Sequence, residues 1–269
     1  MLEKGGFHLC KWISNCPSVL NEIPSVDKVE FMRLIDLTGN DEILTRTLGV
    51  AWHVGQDLLR VRVKLKQKSL TRRGLLSALA SIYDPIGIVA PVVVLAKILF
   101  QSECKRGTGW DDPLSEETVT KWNRWSQELP VLEELGIGRC LWPHGSSKNW
   151  IFSIHVFSDA STLAYGSVAY LVMKNSSGEF HSTFLLAKSR LAPLKVQTVV
   201  RLELSAALLS VQIVEIIRRE FTIKFDQVYY WCDSMTVLGY IKSVGKRFKI
   251  FVSNRLSQIL EYSYPSQWY

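Results

Sequence analysis

The chain has 269 residues, of which 47 % are hydrophobic, and its formal net charge is +7. This length suits one large domain or two smaller ones, and the apolar content is ample for a packed core. The positive charge is compatible with a polyanionic partner but does not require one. Five scattered cysteines do not form a disulfide framework and favour a reducing compartment, so we expect an intracellular protein that is not secreted.

No segment predicts a membrane anchor. The most apolar stretch, residues 85–96, contains two prolines and a glycine and is shorter than the ~20 residues that a membrane span needs. It is interpreted as a buried turn followed by the start of a helix. Met1 leads directly into a polar segment, so we expect no secretory signal and no membrane partner.

The first third of the chain predicts strands and loops. Residues 47–54 are strand-like, and residues 60–68 alternate between apolar and basic side chains. That alternation is typical of a half-buried edge strand whose charged face prevents aggregation. A basic stripe that contacts nucleic acid is the alternative interpretation of the same pattern.

Helical patterns follow from residue 71. Thr71 is a plausible N-cap of a first helix, a second is expected at about residues 92–104, and a third begins with Ser115 as its cap. Trp122 and Trp125 recur at helical spacing in the third helix. We expect these tryptophans to lie in the core rather than to stack on bases.

The last part of the chain predicts an α/β sheet with at least one crossover, and it begins after the turn-rich residues 138–149. Strands are expected at residues 151–158, 166–173, 182–188 and 227–232, and helices at 200–219, 234–242 and 251–260. The turn formers at 176–179 predict a hairpin between the second and third of these strands.

Acidic residues stand where two of these strands end. Asp159 closes the first strand, and Asp233 follows the strand at 227–232. In open α/β sheets the chemistry gathers beyond the carboxyl ends of the strands, so the two acids converge if their strands are neighbours. Glu203 lies near the start of the long helix, at the edge of its apolar stripe, where it can lean toward the sheet.

Asp159, Glu203 and Asp233 brought together would repel one another, and one would normally hold a proton. A divalent cation removes this conflict, and oxygen ligands are those that Mg²⁺ prefers. Two such ions about 4 Å apart would activate a water and stabilise the leaving oxygen of a phosphodiester. Each acid alone has a simpler interpretation as a surface or capping residue, since Asp233 also stands in position to cap the helix that follows it.

Several stretches resemble one family over nearly the whole chain. FSDAS, RLELSAA and WCDS, which contain the three acids, resemble the ribonuclease H domain of retroelement reverse transcriptases. Residues 5–15 are similar to the primer-grip region of a reverse transcriptase. Further similarity to Bel/Pao long-terminal-repeat retrotransposons, in the segment catalogued as the Pao retrotransposon peptidase family, lies at residues 47–52, 81–101, 109–125, 185–193 and 251–259.

The resemblance implies a fold and a domain order. It implies an α/β chain. The C-terminal part would be a truncated ribonuclease H-like domain, with a mixed sheet and packed helices. An α+β reverse transcriptase tail and connection region would precede it. Residues 1–68 would be the end of the reverse transcriptase, residues 69–145 a helical thumb or connection region, and residues 150–269 the incomplete ribonuclease H-like domain.

The resemblance also implies a site and partners. Asp159, Glu203 and Asp233 would hold two Mg²⁺ ions, or Mn²⁺, and cut the RNA strand of an RNA–DNA hybrid. The expected partners are that hybrid or another nucleic acid and the remainder of the retrotransposon polyprotein, in the cytoplasm or the element's particle. A catalytically inactive remnant that binds nucleic acid or has a structural role is the competing interpretation.

Basic and aromatic residues are candidates for nucleic-acid contact. Lys11 and Trp12 lie in the primer-grip-like segment, and a denser basic cluster comprises Lys242, Lys246, Arg247 and Lys249. Phosphate contacts of this kind supply affinity without sequence choice. A solvated loop between helices is the alternative for the later cluster.

The chain departs from the family pattern in two respects. The family's nuclease uses a fourth carboxylate, and the sequence after Asp233 ends at PSQWY without a matching acid. The polymerase carboxylate pair is also missing, so we expect no DNA polymerisation. An aspartic peptidase is the less favoured alternative, because SDAS and CDSM lack the glycine of the Asp-Thr/Ser-Gly loops that such enzymes use.

Overall fold

A computed structural model of the protein describes residues 3–29, 44–47, 50–61, 65, 69–143, 150–243 and 245–269. The chain forms two compact units. One comprises Met1–Arg60 with Leu135–Cys140, and the other comprises Val61–Glu134 with Leu141–Tyr269. Most of the alternating segment predicted as a strand at residues 60–68 lies outside the described residues.

The first unit contains an antiparallel sheet. Its strands pair in the order β1 (Leu44–Thr47), β2 (Val50–His53), β3 (Leu58–Arg60) and β4 (Gly136–Gly138), and a short helix α1 (Pro17–Asn21) precedes them. Leu20, Trp52 and Val54 form its buried core. The strand-like pattern at residues 47–54 therefore corresponds to the end of β1 and to β2.

The second unit begins with the predicted helices. They are α2 (Arg72–Ala80), α3 (Ala90–Arg106) and α4 (Glu116–Glu128). Thr71 and Ser115 cap α2 and α4, because their side chains accept backbone N–H bonds from the first turns. Trp122 and Trp125 are buried in the core of these helices, which confirms their prediction as core residues.

Glu103 fastens α3 to the start of α4. Its side chain is fully buried and accepts hydrogen bonds from the hydroxyls of Ser115 and Thr118, both at 2.6 Å, and of Thr108 at 2.8 Å. Burial raises the pKa of this carboxyl, but the hydrogen bonds outweigh burial and lower its pKa to about 2. Glu103 is therefore an ionised structural residue.

A mixed sheet forms the rest of the second unit. Its strands lie in the order β7 (Phe180–Leu191), β6 (Ala164–Asn175), β5 (Trp150–Ala160) and β8 (Gln227–Cys232). The pairs β5–β6 and β6–β7 are antiparallel, whereas β5 and β8 are parallel. The helices are α5 (Val199–Glu220), α6 (Met235–Lys242) and α7 (Ile250–Tyr262). The predicted mixed α/β sheet with packed helices is confirmed, and α5 is its crossover.

The helix α5 covers one face of this sheet because its apolar residues recur at three- and four-residue steps. Alternate residues of the strands point toward it and are fully buried, including Ile154 and Val156 of β5 and Leu171 of β6. The buried core of the sheet and the helices is continuous. The start of α5 is thereby held close to the ends of β5 and β8.

The turn before α3 docks on the sheet. The Ala187 N–H of β7 donates to the Ile86 carbonyl at 2.9 Å. Asp84 accepts three backbone N–H bonds from the residues of the turn, and Gly87 has a positive φ of 81°. A Cβ at Gly87 would lie 2.0 Å from the Ala187 carbonyl oxygen, so the glycine permits the close approach.

The last two residues extend the sheet beyond β8. The Tyr269 N–H donates to the Tyr230 carbonyl and the Cys232 N–H donates to the Tyr269 carbonyl, both at 2.9 Å. Trp268 is buried and stacks on Tyr230 with ring centroids 4.5 Å apart. The backbone next to the end of β8 is therefore paired on both sides.

None of the helices in the described parts of the chain is both long enough and apolar enough to cross a membrane.

Candidate metal centre

The two strands that carry the aspartates are neighbours. In the parallel register of β5 and β8, Ser158 lies opposite Cys232. Asp159 is the next residue of β5, and Asp233 directly follows the end of β8. The expectation that both acids stand at the same edge of the sheet is met by this register.

The third acid approaches from the helix layer. Glu203 lies on α5, which packs on β5 and β6, and its side chain is buried at 7 % exposure. Its carboxylate, the Cys232 sulfur and the Asp233 carboxylate offer ligand atoms that lie within 4.8 Å of one another. An acidic cluster therefore forms from a helix and a strand that are distant in sequence.

Asp159 stands next to this cluster. It is exposed, and its Oδ1 accepts the backbone N–H of Ala160 at 2.6 Å. Its carboxylate is not among the group within 4.8 Å, but its negative charge acts on Glu203 and contributes to raising the pKa of that residue. The structure thus places all three predicted acids at one edge, with Asp159 at the outside.

Glu203 is the acid most affected by this environment. Burial, and then the charges of Asp233 and Asp159, raise its pKa to about 7, against the opposing effect of the Ala160 N–H. Its Oε2 atom is enclosed, and none of the described residues gives it a hydrogen-bond partner. A buried oxygen without a donor beside two other acids fits a cation, because a cation would stabilise all three negative charges.

Cys232 is a member of the cluster that was not predicted. It is buried, and burial is the main cause that raises the pKa of its thiol. The signal is present in the sequence, because strand alternation places Cys232 on the same side of β8 as the buried Val228 and Tyr230. That side faces α5 and hence Glu203.

An apolar groove leads to the acids. Its volume is about 790 Å³, and its lining includes Asp159, Asp233 and residues of β6 and β7. The apolar walls include Ala90, Pro91 and Val94 of α3 and Phe157, Trp231 and Tyr269. The helix α3, which precedes the sheet in the chain, therefore contributes to the surroundings of the acids.

The predicted basic residues fall into two places. Lys242, Lys246, Arg247 and Lys249 are exposed at the end of α6 and in the connection to α7. Among the described residues no carboxylate forms an ion pair with them. Their side chains are available to a partner, and their role in binding nucleic acid stays a prediction.

Lys11 and Trp12 belong to the other compact unit. Lys11 is exposed with a positive φ of 62°, and the Trp12 indole N–H donates to the Leu9 carbonyl at 3.1 Å. Trp12 is 42 % exposed. Nucleic-acid contact by these two residues also stays a prediction.

Comparison with known proteins gives one family match. Residues 71–234 match the family described as the Pao retrotransposon-like RNaseH-like domain. No curated protein matches the chain.

Two similar solved structures are of foamy viral protein. The foamy viral protease-reverse transcriptase in complex with dsDNA is 14 % identical, with a TM-score of 0.45, over 84 % of this chain and 44 % of its own. The dRH form of that protease-reverse transcriptase, in complex with ds DNA, is also 14 % identical, with a TM-score of 0.44, over 81 % of this chain and 36 % of its own. The chain thus spans less than half the length of either.

Proposed function

The chain belongs to the Pao retrotransposon-like RNase H-like family, and from this premise we propose that it hydrolyses the RNA strand of an RNA–DNA hybrid in a Mg²⁺-dependent reaction. Asp159, Glu203 and Asp233 are the proposed metal ligands and catalytic residues. The observation that carries this proposal is that Glu203 lies close to Asp233 and is also affected by the charge of Asp159, although the three acids come from distant parts of the sequence.

Mg²⁺, or Mn²⁺ in its place, would supply an activated water and charge stabilisation for the leaving oxygen of the phosphodiester. Asp233 and Asp159, on the solvent side, are the ligands that an incoming phosphate meets first. Glu203 presents its enclosed Oε2 from the side of the site that α5 covers. The rigid packing of α5 on the sheet fixes the position of Glu203, so the site needs little reorganisation when a cation binds.

Substrate contact is proposed for the surfaces around the acids. The exposed basic residues Lys242, Lys246, Arg247 and Lys249 would contact phosphates, which gives affinity without base recognition. The net charge of +7 supports a polyanionic partner. The proposed partners remain an RNA–DNA hybrid or another nucleic acid and the rest of a retrotransposon polyprotein.

The direct test is a cleavage assay with the full chain and a hybrid whose RNA strand carries a label. We expect cutting that requires Mg²⁺ and falls by at least about 100-fold in Asp159→Asn and Glu203→Gln, because loss of charge stabilisation at a reacting centre has effects of that size. Glu220→Gln, at the far end of α5, is the matched control and should cut like the wild type.

The assay also separates cutting from binding alone. Cleavage that persists without metal, or that Asp159→Asn does not reduce, rejects the nuclease assignment. A wild-type chain that binds the hybrid in Mg²⁺ but leaves the RNA intact identifies the alternative, a catalytically inactive nucleic-acid-binding protein.

A further inference from the structure

The thiol of Cys232 adds a sulfur ligand to the acidic cluster, and a sulfur ligand favours other metals than carboxylates do. Its sulfur lies in the group of ligand atoms within 4.8 Å that also contains Glu203 and Asp233. A site made only of carboxylates favours hard cations such as Mg²⁺, whereas a sulfur ligand favours softer ones such as Zn²⁺. Sulfur and carboxylate oxygen are both ordinary zinc ligands.

The second observation is the state of Glu203. Only 7 % of the residue is exposed, and its Oε2 has no hydrogen-bond partner among the described residues. A carboxylate oxygen of the same side chain belongs to the close group that contains the Cys232 sulfur. A buried carboxylate with one unpartnered oxygen, close to a buried thiol, has the donor atoms of a metal site rather than those of a satisfied core contact.

We propose that Glu203, Cys232 and Asp233 form a Zn²⁺ site that competes with Mg²⁺ for the same two carboxylates. Zn²⁺ is commonly held by three protein ligands with a fourth position left for water or another group. On binding, the Cys232 thiol releases its proton to solvent as the sulfur–zinc bond forms, and Glu203 releases any proton that it holds. The oxidation state of the sulfur and of the metal does not change.

Zinc in this position would act as an inhibitor. It would draw Glu203 and Asp233 toward the thiol, on the α5 side of β8, and so remove two of the three carboxylates that are proposed for Mg²⁺. Only this inhibition of cleavage rests on the proposed function. Zinc binding itself is measurable without nucleic acid and holds whether or not the chain cuts RNA.

The test uses the full chain with Co²⁺ as a spectroscopic substitute for Zn²⁺. Cys10, Cys16 and Cys140 are exposed, so all three are first replaced by serine to remove competing thiols. In this background we expect one bound Co²⁺ with a sulfur-to-metal charge-transfer band, and Zn²⁺ should displace the ion. The further change Cys232→Ser should abolish the band and weaken Zn²⁺ binding by more than about tenfold, since even an outer-shell partner contributes that much.

Mg²⁺ provides the matched comparison. Its binding, followed by isothermal titration, should change by less than about threefold in Cys232→Ser, because a hard cation gains little from the thiol. Added Zn²⁺ should raise the apparent Kd for Mg²⁺ in the background chain and have a much smaller effect in Cys232→Ser. Circular dichroism checks that each variant is folded.

Glu203→Gln keeps the test decisive if Cys232→Ser does not fold. In this variant the intensity of the charge-transfer band per bound Co²⁺ should be unchanged, because Cys232 is still present, while the affinity for Zn²⁺ falls. The proposal is overturned by a band that survives Cys232→Ser, by Zn²⁺ affinity that Glu203→Gln leaves unchanged, or by Zn²⁺ that does not compete with Mg²⁺.

Discussion

Glu203 is an acid enclosed by the protein and faced by two other acids, and its ionisation is therefore coupled to folding. Its pKa rises from 4.5 to about 7 in the folded chain. Between these values the folded protein holds a proton that the unfolded chain has lost. Stability must then decrease as pH rises through this window, by on the order of 3 kcal/mol at pH 8.

We predict that Glu203→Gln removes most of this pH dependence. In EDTA, the free energy of unfolding of the wild type should fall from pH 5 to pH 8 relative to that of the variant, and denaturation in urea at both values measures the difference. Mg²⁺ at pH 8 should restore the wild type more than the variant, because it binds the ionised acid.

Glu220→Gln is the control for this prediction. Glu220 is exposed at the other end of α5, so this variant should follow the wild type at both pH values. Parallel pH profiles for the wild type and Glu203→Gln would contradict the coupling.

The individual acids of the site were predictable, because Asp159 and Asp233 end strand patterns and Glu203 begins a helical one. Their distances were not predictable, since these depend on which strands pair and on how α5 lies across them. The presence of Cys232 in the cluster was not predictable, because a cysteine in a strand is an ordinary core residue. Only the close approach of Glu203 makes its thiol a candidate ligand.

Among the secondary structure elements, the helices and strands of the second unit follow the sequence patterns closely. The caps Thr71 and Ser115 were identifiable from side-chain chemistry alone. The strands β5, β6 and β7 each extend a few residues beyond the predicted limits. The parallel pairing of β5 and β8 and the docking of the turn at Gly87 are long-range contacts, which local patterns do not encode.

We predict that Gly87→Ala loosens the docking of this turn on β7. The new Cβ would meet the Ala187 carbonyl oxygen at 2.0 Å, in addition to the strain of a φ of 81°. The expected loss of stability is about 3 kcal/mol or more, of which the φ strain alone accounts for roughly 1–2 kcal/mol. Urea denaturation measures the difference.

Gly107→Ala is the matched control, because Gly107 has a nearly equal φ of 79° but open space around its Cβ position. Gly107→Ala should lower the free energy of unfolding by the backbone strain alone, because its new Cβ meets no other atom. Equal destabilisation by the two substitutions would mean that the contact with Ala187 contributes nothing to stability.

At the level of the whole molecule, we expect the positive charge to attract nucleic acid mainly through the basic residues in the connection between α6 and α7. Neutralising Lys246, Arg247 and Lys249 together to glutamine should weaken hybrid binding. It should also reduce the slope of log K against log salt by about 0.9 for each lost phosphate contact. Fluorescence anisotropy with a labelled hybrid over a salt series measures both effects.

A second triple variant removes the same charge elsewhere. Lys105, Lys121 and Arg124 lie on α3 and α4 and are exposed, so their replacement by glutamine should leave the salt slope nearly unchanged. Equal slopes for the two triple variants would show that net charge, rather than a local contact surface, governs binding.

The docking of residues 84–94 beside the sheet has an evolutionary consequence. A segment that precedes β5 by more than fifty residues provides a wall of the groove at the acids and a backbone contact to β7. Recombination that transferred only β5 to α7 into another protein would leave this side of the sheet uncovered. We therefore expect a transferable folding unit to include α3 together with the sheet and its helices.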